Sequence, residues 1–165
     1  MPKHSAGILL YRKGGAGVEV FLVHPGGPFW ARKDVAAWSV PKGEYDESEE
    51  ALAAAQREFT EETSFAVPAG ELQELGQVKY GNKILRVWAL EGSVDARRIK
   101  SNTVTIEWPP KTGRKQEFPE VDRAGWYPLA AAKEKLVKGQ VPLIAMLEER
   151  LGVEPTEAPS QLSLL

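Results

Sequence analysis

Gly43 to Phe65 reads GEYDESEEALAAAQREFTEETSF, and the rest of the chain is best read outward from it. Ala51, Ala53, Ala54 and Ala55 are strong helix formers, and the pattern predicts a helix over 48–63 with Asp46 or Ser48 as its N-cap. On a helical wheel Leu52, Ala55 and Phe59 share one stripe, the expected core face. Glu58, Glu61 and Glu62 sit beside it at spacings of three and four from Glu58. Like charges so placed repel by a few tenths of a kcal/mol per pair, and negative charge in a last turn opposes the helix dipole. A solvated acidic face, partly neutralised by Arg57, is one reading. A site for a hard cation is the other, since Mg²⁺ takes oxygen ligands and often shares substrate phosphates.

The spacing around the helix separates the two readings. Gly43 is followed by five residues, Glu49, seven residues, and then Arg57-Glu58-Phe59-Thr60-Glu61-Glu62-Thr63-Ser64-Phe65. This closely resembles the signature of Nudix hydrolases, in which Gly, Glu and Arg-Glu-apolar-any-Glu-Glu-any-Gly-apolar follow at those intervals. Ser64 stands where the family has Gly. The resemblance implies an α+β fold, an α/β/α sandwich with a mixed β-sheet.

The resemblance also implies roles. Glu58 and Glu62, with Glu61 beside them and the carbonyl of Gly43, would hold Mg²⁺, with Mn²⁺ as the alternative. Arg57 would orient the glutamates, a task that suits a planar guanidinium better than an ammonium, and Glu49 would support them. The expected reaction is attack of water on phosphorus in a diphosphate linked to another group. The general base would come from the box, through Glu61 or Glu62, or from a later loop. There Glu120, six residues before Trp126, matches MutT-like members, and Glu107 is a rival. Pro41-Lys42-Gly43 resembles the lead-in of diadenosine or diphosphoinositol polyphosphate hydrolases, with Lys42 as a phosphate ligand. Tyr80 lies near the position where the former tend to carry a tyrosine.

Away from the box, 5–11 and 18–23 read as strands of a hairpin about Gly14 to Gly17. A long Gly- and Pro-rich loop, 24–37, carries Phe29 and Trp30. Strands are expected at 38–40, 72–79, 84–91, 103–108 and 126–129, and helices at 129–138 and 142–151, the latter ended by Gly152. Between them, 109–119 reads as a basic loop in which Lys111, Arg114 and Lys115 could hold further phosphates. Phe29, Trp30, Tyr80 and Trp108 are candidates to stack on a base, whereas Trp38 and Trp126 read as core. His4 and His24 have no metal-ligand spacing, and His24 opens the loop that could touch substrate.

The 165 residues suit one domain, 1–152, followed by a mobile tail, 153–165. With no cysteine, thiolate zinc sites, disulfides and Cys nucleophiles are excluded, which fits a cytoplasmic protein. A net charge of −2 gives no general pull toward nucleic acid or anionic membrane, so the expected partner is a small nucleotide or polyphosphate. No run of the sequence reads as a membrane span. The alternatives are a MutT-like cleaner of damaged nucleoside triphosphates and a non-catalytic nucleotide sensor, the latter resting on Ser64. The last five residues, Gln161 to Leu165, resemble the peptide with which bacterial proteins dock on the sliding clamp.

Overall fold

β1 (Lys3–Gly14) is the spine of the computed structural model, which describes residues 1–158. Six consecutive positions, Ser5 to Leu10, are buried, as expected of a strand covered on both faces. Along one edge β1 pairs in parallel with β5 (Lys83–Glu91), from Lys3 opposite Lys83 to Tyr11 opposite Glu91. Its other edge is shared. Ser5 to Gly7 pair with β3 (Lys42–Glu44), and Tyr11 to Gly14 pair with β2 (Gly17–Pro25). β2 therefore diverges from β3 and pairs antiparallel with β8 (Val121–Pro128), while β4 (Gln73–Tyr80) closes the far side of β5. The sheet order is β4-β5-β1-β2-β8, with β3 beside β1.

Strand alternation divides the core in two. Ile8, Leu10, Phe21, Val23, Trp88 and Leu90 face α1 (Ala51–Thr63), packing with Ala54, Ala55 and Phe59. Leu9, Val20, Leu22, Leu85 and Val87 face the other way, toward α2 (Leu129–Lys135) and α3 (Pro142–Leu151) through Leu129, Leu143, Ile144 and Leu147. The result is the expected α/β/α sandwich with a mixed sheet. Among the described residues no helix is long and apolar enough to cross a membrane.

The differences from expectation are local. Trp38 and Ser39 make only isolated bridges, to Leu136 and Val23, and the strand that meets β1 is Lys42–Glu44. The supposed loop 109–119 contains β7 (Lys115–Pro119), which pairs with β6 (Thr103–Glu107) in a separate two-stranded hairpin. β7 is polar and mostly exposed, so it carries no alternating signal. β8 starts five residues before the expected Trp126. α2 ends at Lys135, and a 3₁₀ turn at Lys138–Gln140 separates it from α3, which Gly152 ends at φ 67°. Glu50, not Asp46 or Ser48, is the N-cap of α1, and the Asp46 carboxylate instead accepts from the Ser48 N–H at 2.9 Å in a turn before the helix.

Val153 to Ala158 does not behave as a free tail. Val153 packs on the α2/α3 core, and the buried Glu148 carboxylate accepts from the N–H and hydroxyl of Thr156, each at 2.8 Å. The expected docking peptide, Gln161 to Leu165, lies outside the described residues.

Candidate active site

The last two turns of α1 carry the acidic cluster over the start of β3. Glu58 and Glu62 are only 8% and 6% exposed, so they lie at the margin of the core and not on a solvated face. Glu58 owes its place to Gly43, since a Cβ built there would lie 2.0 Å from the Glu58 carboxyl carbon. Gly43 is therefore a cradle for a carboxylate, and its conformation is not the reason for it.

Arg57 organises the neighbouring acids. It donates a fork to Glu49, Nε to Oε2 at 2.8 Å and Nη2 to Oε1 at 2.9 Å. Its Nη1 donates to Glu58 at 2.8 Å and to Glu61 at 3.2 Å. The hydrogen bond from Arg57 holds Glu49 below the usual carboxylate range. Glu58 is pushed up by burial, against the opposing pull of Arg57.

Glu62 lies apart from that network. Its Oε1 accepts from the backbone N–H of Lys42 at 3.1 Å. Burial raises its carboxyl to about 8, with the Lys42 charge opposing and Glu120 and Glu58 adding to the rise. Glu62, Lys42 and Glu120 line a cleft of about 140 Å³ together with Val23, Pro25 and Ser39. Glu120 reaches it because Gly26 lets two chain segments touch. The Gly26 N–H donates to the Glu120 carbonyl at 2.9 Å, and a Cβ on Gly26 would meet the Pro119 oxygen at 1.9 Å.

Among the described residues no three Asp, Glu or His side chains converge at metal-ligand spacing. Arg57 draws Glu49, Glu58 and Glu61 onto its guanidinium, while Glu62 turns to Lys42. The residues nonetheless fit a hard divalent cation. The donors are all oxygen, and two carboxylates are buried against mutual repulsion. Burial of charge in this way is unfavourable unless a cation compensates it.

Ser64 ends α1 in the left-handed region at φ 69°, with its N–H on the Thr60 carbonyl at 2.8 Å. Its hydroxyl donates to the Lys100 carbonyl. The serine thus makes the turn that a glycine would make with less strain, and the helix end that carries Glu61 and Glu62 is intact.

Lys42, Gly43, Glu58, Glu62 and Glu120 are thus assembled, with Glu61 joined through Arg57. Tyr80 is elsewhere. It packs over Gly139, and its hydroxyl accepts from Gln140 at 3.3 Å. Lys111 and Arg114 are exposed in the turn between β6 and β7, with Glu107 at the end of β6 and Trp108 just after it. Phe29 is exposed and meets Trp30 edge-on at 5.2 Å, with the Lys33 ammonium 3.6 Å from the Phe29 ring centre. Trp38 is core as expected, whereas Trp126 is half-buried against Phe21. Sequence reasoning missed Ser39 and Pro25 as cleft walls, and it missed the pairing of His24 with Asp122 at 2.8 Å. Only the neighbourhood of Glu120 in the sequence hinted at Asp122.

Residues 1–147 match the NUDIX domain family. No curated protein sequence matches the chain. Among solved structures it is similar to a C. elegans Ap4A hydrolase in a binary complex, with a TM-score of 0.61 and 20% identity, covering 91% of this chain and 98% of that one. It is similar to the NUDIX domain of Shewanella oneidensis NrtR complexed with ADP ribose, with a TM-score of 0.62 and 19% identity over 92% and 89% of the two chains. It is also similar to the C-terminal domain of mouse MUTYH in complex with human PCNA, with a TM-score of 0.56 and 18% identity over 98% of each. Likenesses at this identity concern the fold.

Proposed function

We propose that this chain, which belongs to the NUDIX domain family and is a Nudix pyrophosphohydrolase, cleaves a phosphoanhydride bond in a dinucleoside polyphosphate of the diadenosine tetraphosphate type or in a nucleoside triphosphate. It would act in the cytoplasm. The single observation that carries this is the cleft that joins Lys42 to Glu62 and Glu120, at the edge of a buried acidic cluster. Glu58, Glu61 and Glu62, with the Gly43 carbonyl, would hold Mg²⁺ or Mn²⁺. The cation neutralises phosphate charge and acidifies water when bound. Arg57 keeps Glu49, Glu58 and Glu61 in register through its fork. The Lys42 ammonium offers a point charge to a substrate phosphate, while its backbone N–H orients Glu62. Glu120, whose backbone is fixed by Gly26, takes the proton from the attacking water. Lys111 and Arg114 are the outer substrate contacts, engaging the far phosphates of a long chain, whereas Tyr80, packed over Gly139, does not take that role.

The test is a panel of diadenosine polyphosphates, nucleoside triphosphates including oxidised bases, and ADP-ribose, incubated with Mg²⁺ and scored for product identity. Diadenosine tetraphosphate is expected to be cleaved best. Preferred cleavage of damaged triphosphates would favour the pool-cleaning reading, and binding without cleavage would favour the sensor. Retention of full activity in Glu62→Gln would refute the site. The tail Gln161 to Leu165 is proposed in addition to dock on a sliding clamp, in keeping with the complex formed by the MUTYH relative. No measurable binding of the tail peptide to a bacterial clamp would end that proposal.

A further inference from the structure

His24 is completely buried, yet both of its ring nitrogens face acceptors. Nε2 stands 2.6 Å from the carbonyl of Lys33, which has no proton to give. Nδ1 stands 2.8 Å from Oδ1 of Asp122. The Asp122 side chain is 28% exposed, its other oxygen is 3.8 Å from the Arg123 guanidinium, and a carboxylate offers only acceptors. A neutral imidazole has one donor and one acceptor, so it can satisfy only one of these partners. A ring that satisfies both carries two protons.

The position of this ring in the fold gives it a task. The register of β2 against β8 runs from His24 opposite Arg123 to Pro25 opposite Val121, which leaves Asp122 as the extra residue of a β-bulge. Bulges re-aim side chains and are common beside active sites. This bulge lies two residues after Glu120. On its other side His24 holds the middle of loop 26–37 at Lys33, and the loop's first residue is bonded to the Glu120 carbonyl. The last turn of the loop is tied in as well. Trp38 packs its ring 5.1 Å from that of His24 and donates its indole N–H to Asp34. The charged groups that face this assembly are Asp122 and Arg123 from β8, Asp34 from the loop, and Lys135 from α2, whose ammonium lies 2.9 Å from Asp34.

We propose that His24 is a positioning residue for the hydrolysis: held as an imidazolium between the Lys33 carbonyl and Asp122, it fixes loop 26–37 and the bulge beside Glu120 as one wall of the cleft. The role in hydrolysis rests on the function proposed above, whereas the protonation state of the ring does not. The clamp places the Phe29 and Trp30 pair and the Glu120 backbone on a single support. Loss of a ring proton leaves one of the two acceptors without its donor, which loosens that support.

Nitrogen-resolved NMR of the histidine rings tests the charge, and His4→Gln assigns the signals of the two histidines. At neutral pH both His24 nitrogens are expected to be protonated in the wild type. In Asp122→Asn the amide can donate to Nδ1, so the ring is expected to become neutral and keep both hydrogen bonds. Kinetics with diadenosine tetraphosphate and Mg²⁺ tests the role. His24→Gln, assayed well below its unfolding transition, is expected to lower kcat/KM about 10- to 100-fold, mainly through KM. The pH profiles of kcat/KM are expected to differ between the wild type and Asp122→Asn, because the two rings carry different numbers of protons. A neutral ring in the wild type, or pH profiles that coincide in wild type and Asp122→Asn, would overturn the proposal. A wild type inactive on every nucleotide would refute the hydrolase reading instead, and the ring nitrogens would still decide the clamp.

Discussion

Glu62→Gln exchanges a buried carboxylate for an amide of nearly the same shape, and the structure gives the exchange a size and a sign. Burial raises the Glu62 carboxyl from the ordinary 4.5 to about 8. Each pH unit of displacement is worth about 1.4 kcal/mol, so the ionised side chain costs the folded state about 5 kcal/mol. That is comparable to the whole stability of many domains. Because the folded value lies above the unfolded one, the native state binds the proton more tightly. No cost exists below about pH 4.5. Stability then falls as pH rises through the window from about 4.5 to about 8, and above it the full cost remains. The Gln side chain never ionises, and its Oε1 can still accept from the Lys42 N–H.

In chelator, Glu62→Gln should therefore match the wild type near pH 4.5 and exceed it by several kcal/mol at pH 9. Urea unfolding followed by fluorescence of the five tryptophans measures the difference, and titrations common to both proteins cancel. Mg²⁺ should narrow the gap by stabilising only the wild type, and its binding near pH 7 should release a proton. The variant should lack hydrolysis. A stability difference that stays flat from pH 5 to pH 9, or a variant less stable at pH 9, would refute the reasoning.

Four further outcomes follow from the same geometry. Gly43→Ala puts a methyl group 2.0 Å from the Glu58 carboxyl carbon, so Glu58 must move; kcat should fall about 100-fold while circular dichroism stays unchanged. Arg57→Lys keeps the charge and loses the fork to Glu49, and steady-state kinetics should show a loss of roughly 10- to 100-fold in kcat. At Ser64 the left-handed strain and the hydroxyl bond to Lys100 are opposed. Denaturant midpoints should accordingly place Ser64→Gly within about 1 kcal/mol of the wild type and Ser64→Ala about 1 kcal/mol below it, both fully active. Lys111→Ala with Arg114→Ala should raise KM for a tetraphosphate-bridged substrate by less than about tenfold, with the effect shrinking in high salt, because exposed charges are screened.

What the sequence made legible depends on whether a residue's role is local or comes from distant pairing. The helix, its cluster and Gly43 are local. Intervals of five and seven residues placed them, and the two-sided burial of β1 followed from a continuous apolar run. β7 was hidden because Lys115-Gln116-Glu117-Phe118-Pro119 is polar and packs only against β6. The His24–Asp122 contact spans 98 positions and depends on a bulge in β8, which no periodicity announces. Tyr80 lies near the position where the family resemblance expects a tyrosine, but a strand's side chains alternate, and this one faces Gly139 and Gln140 on the α3 side of the sheet.

The acidic turn is the instructive case, because burial changes the size of its energetic penalty. As a surface cluster, Glu58, Glu61 and Glu62 would cost only tenths of a kcal/mol through mutual repulsion. The bend at Pro41 lays Lys42 and Gly43 against Glu62 and Glu58, and desolvation, not repulsion, is the first cause of the rise at both. A helix end is thereby held at a cost that only a bound cation or a proton relieves. The same Lys42–Gly43 segment that creates the cost also supplies the lysine that lines the cleft and the cradle for Glu58. The proposed binding site and the instability are therefore two aspects of one packing decision, and a variant that relieves the instability should remove that site.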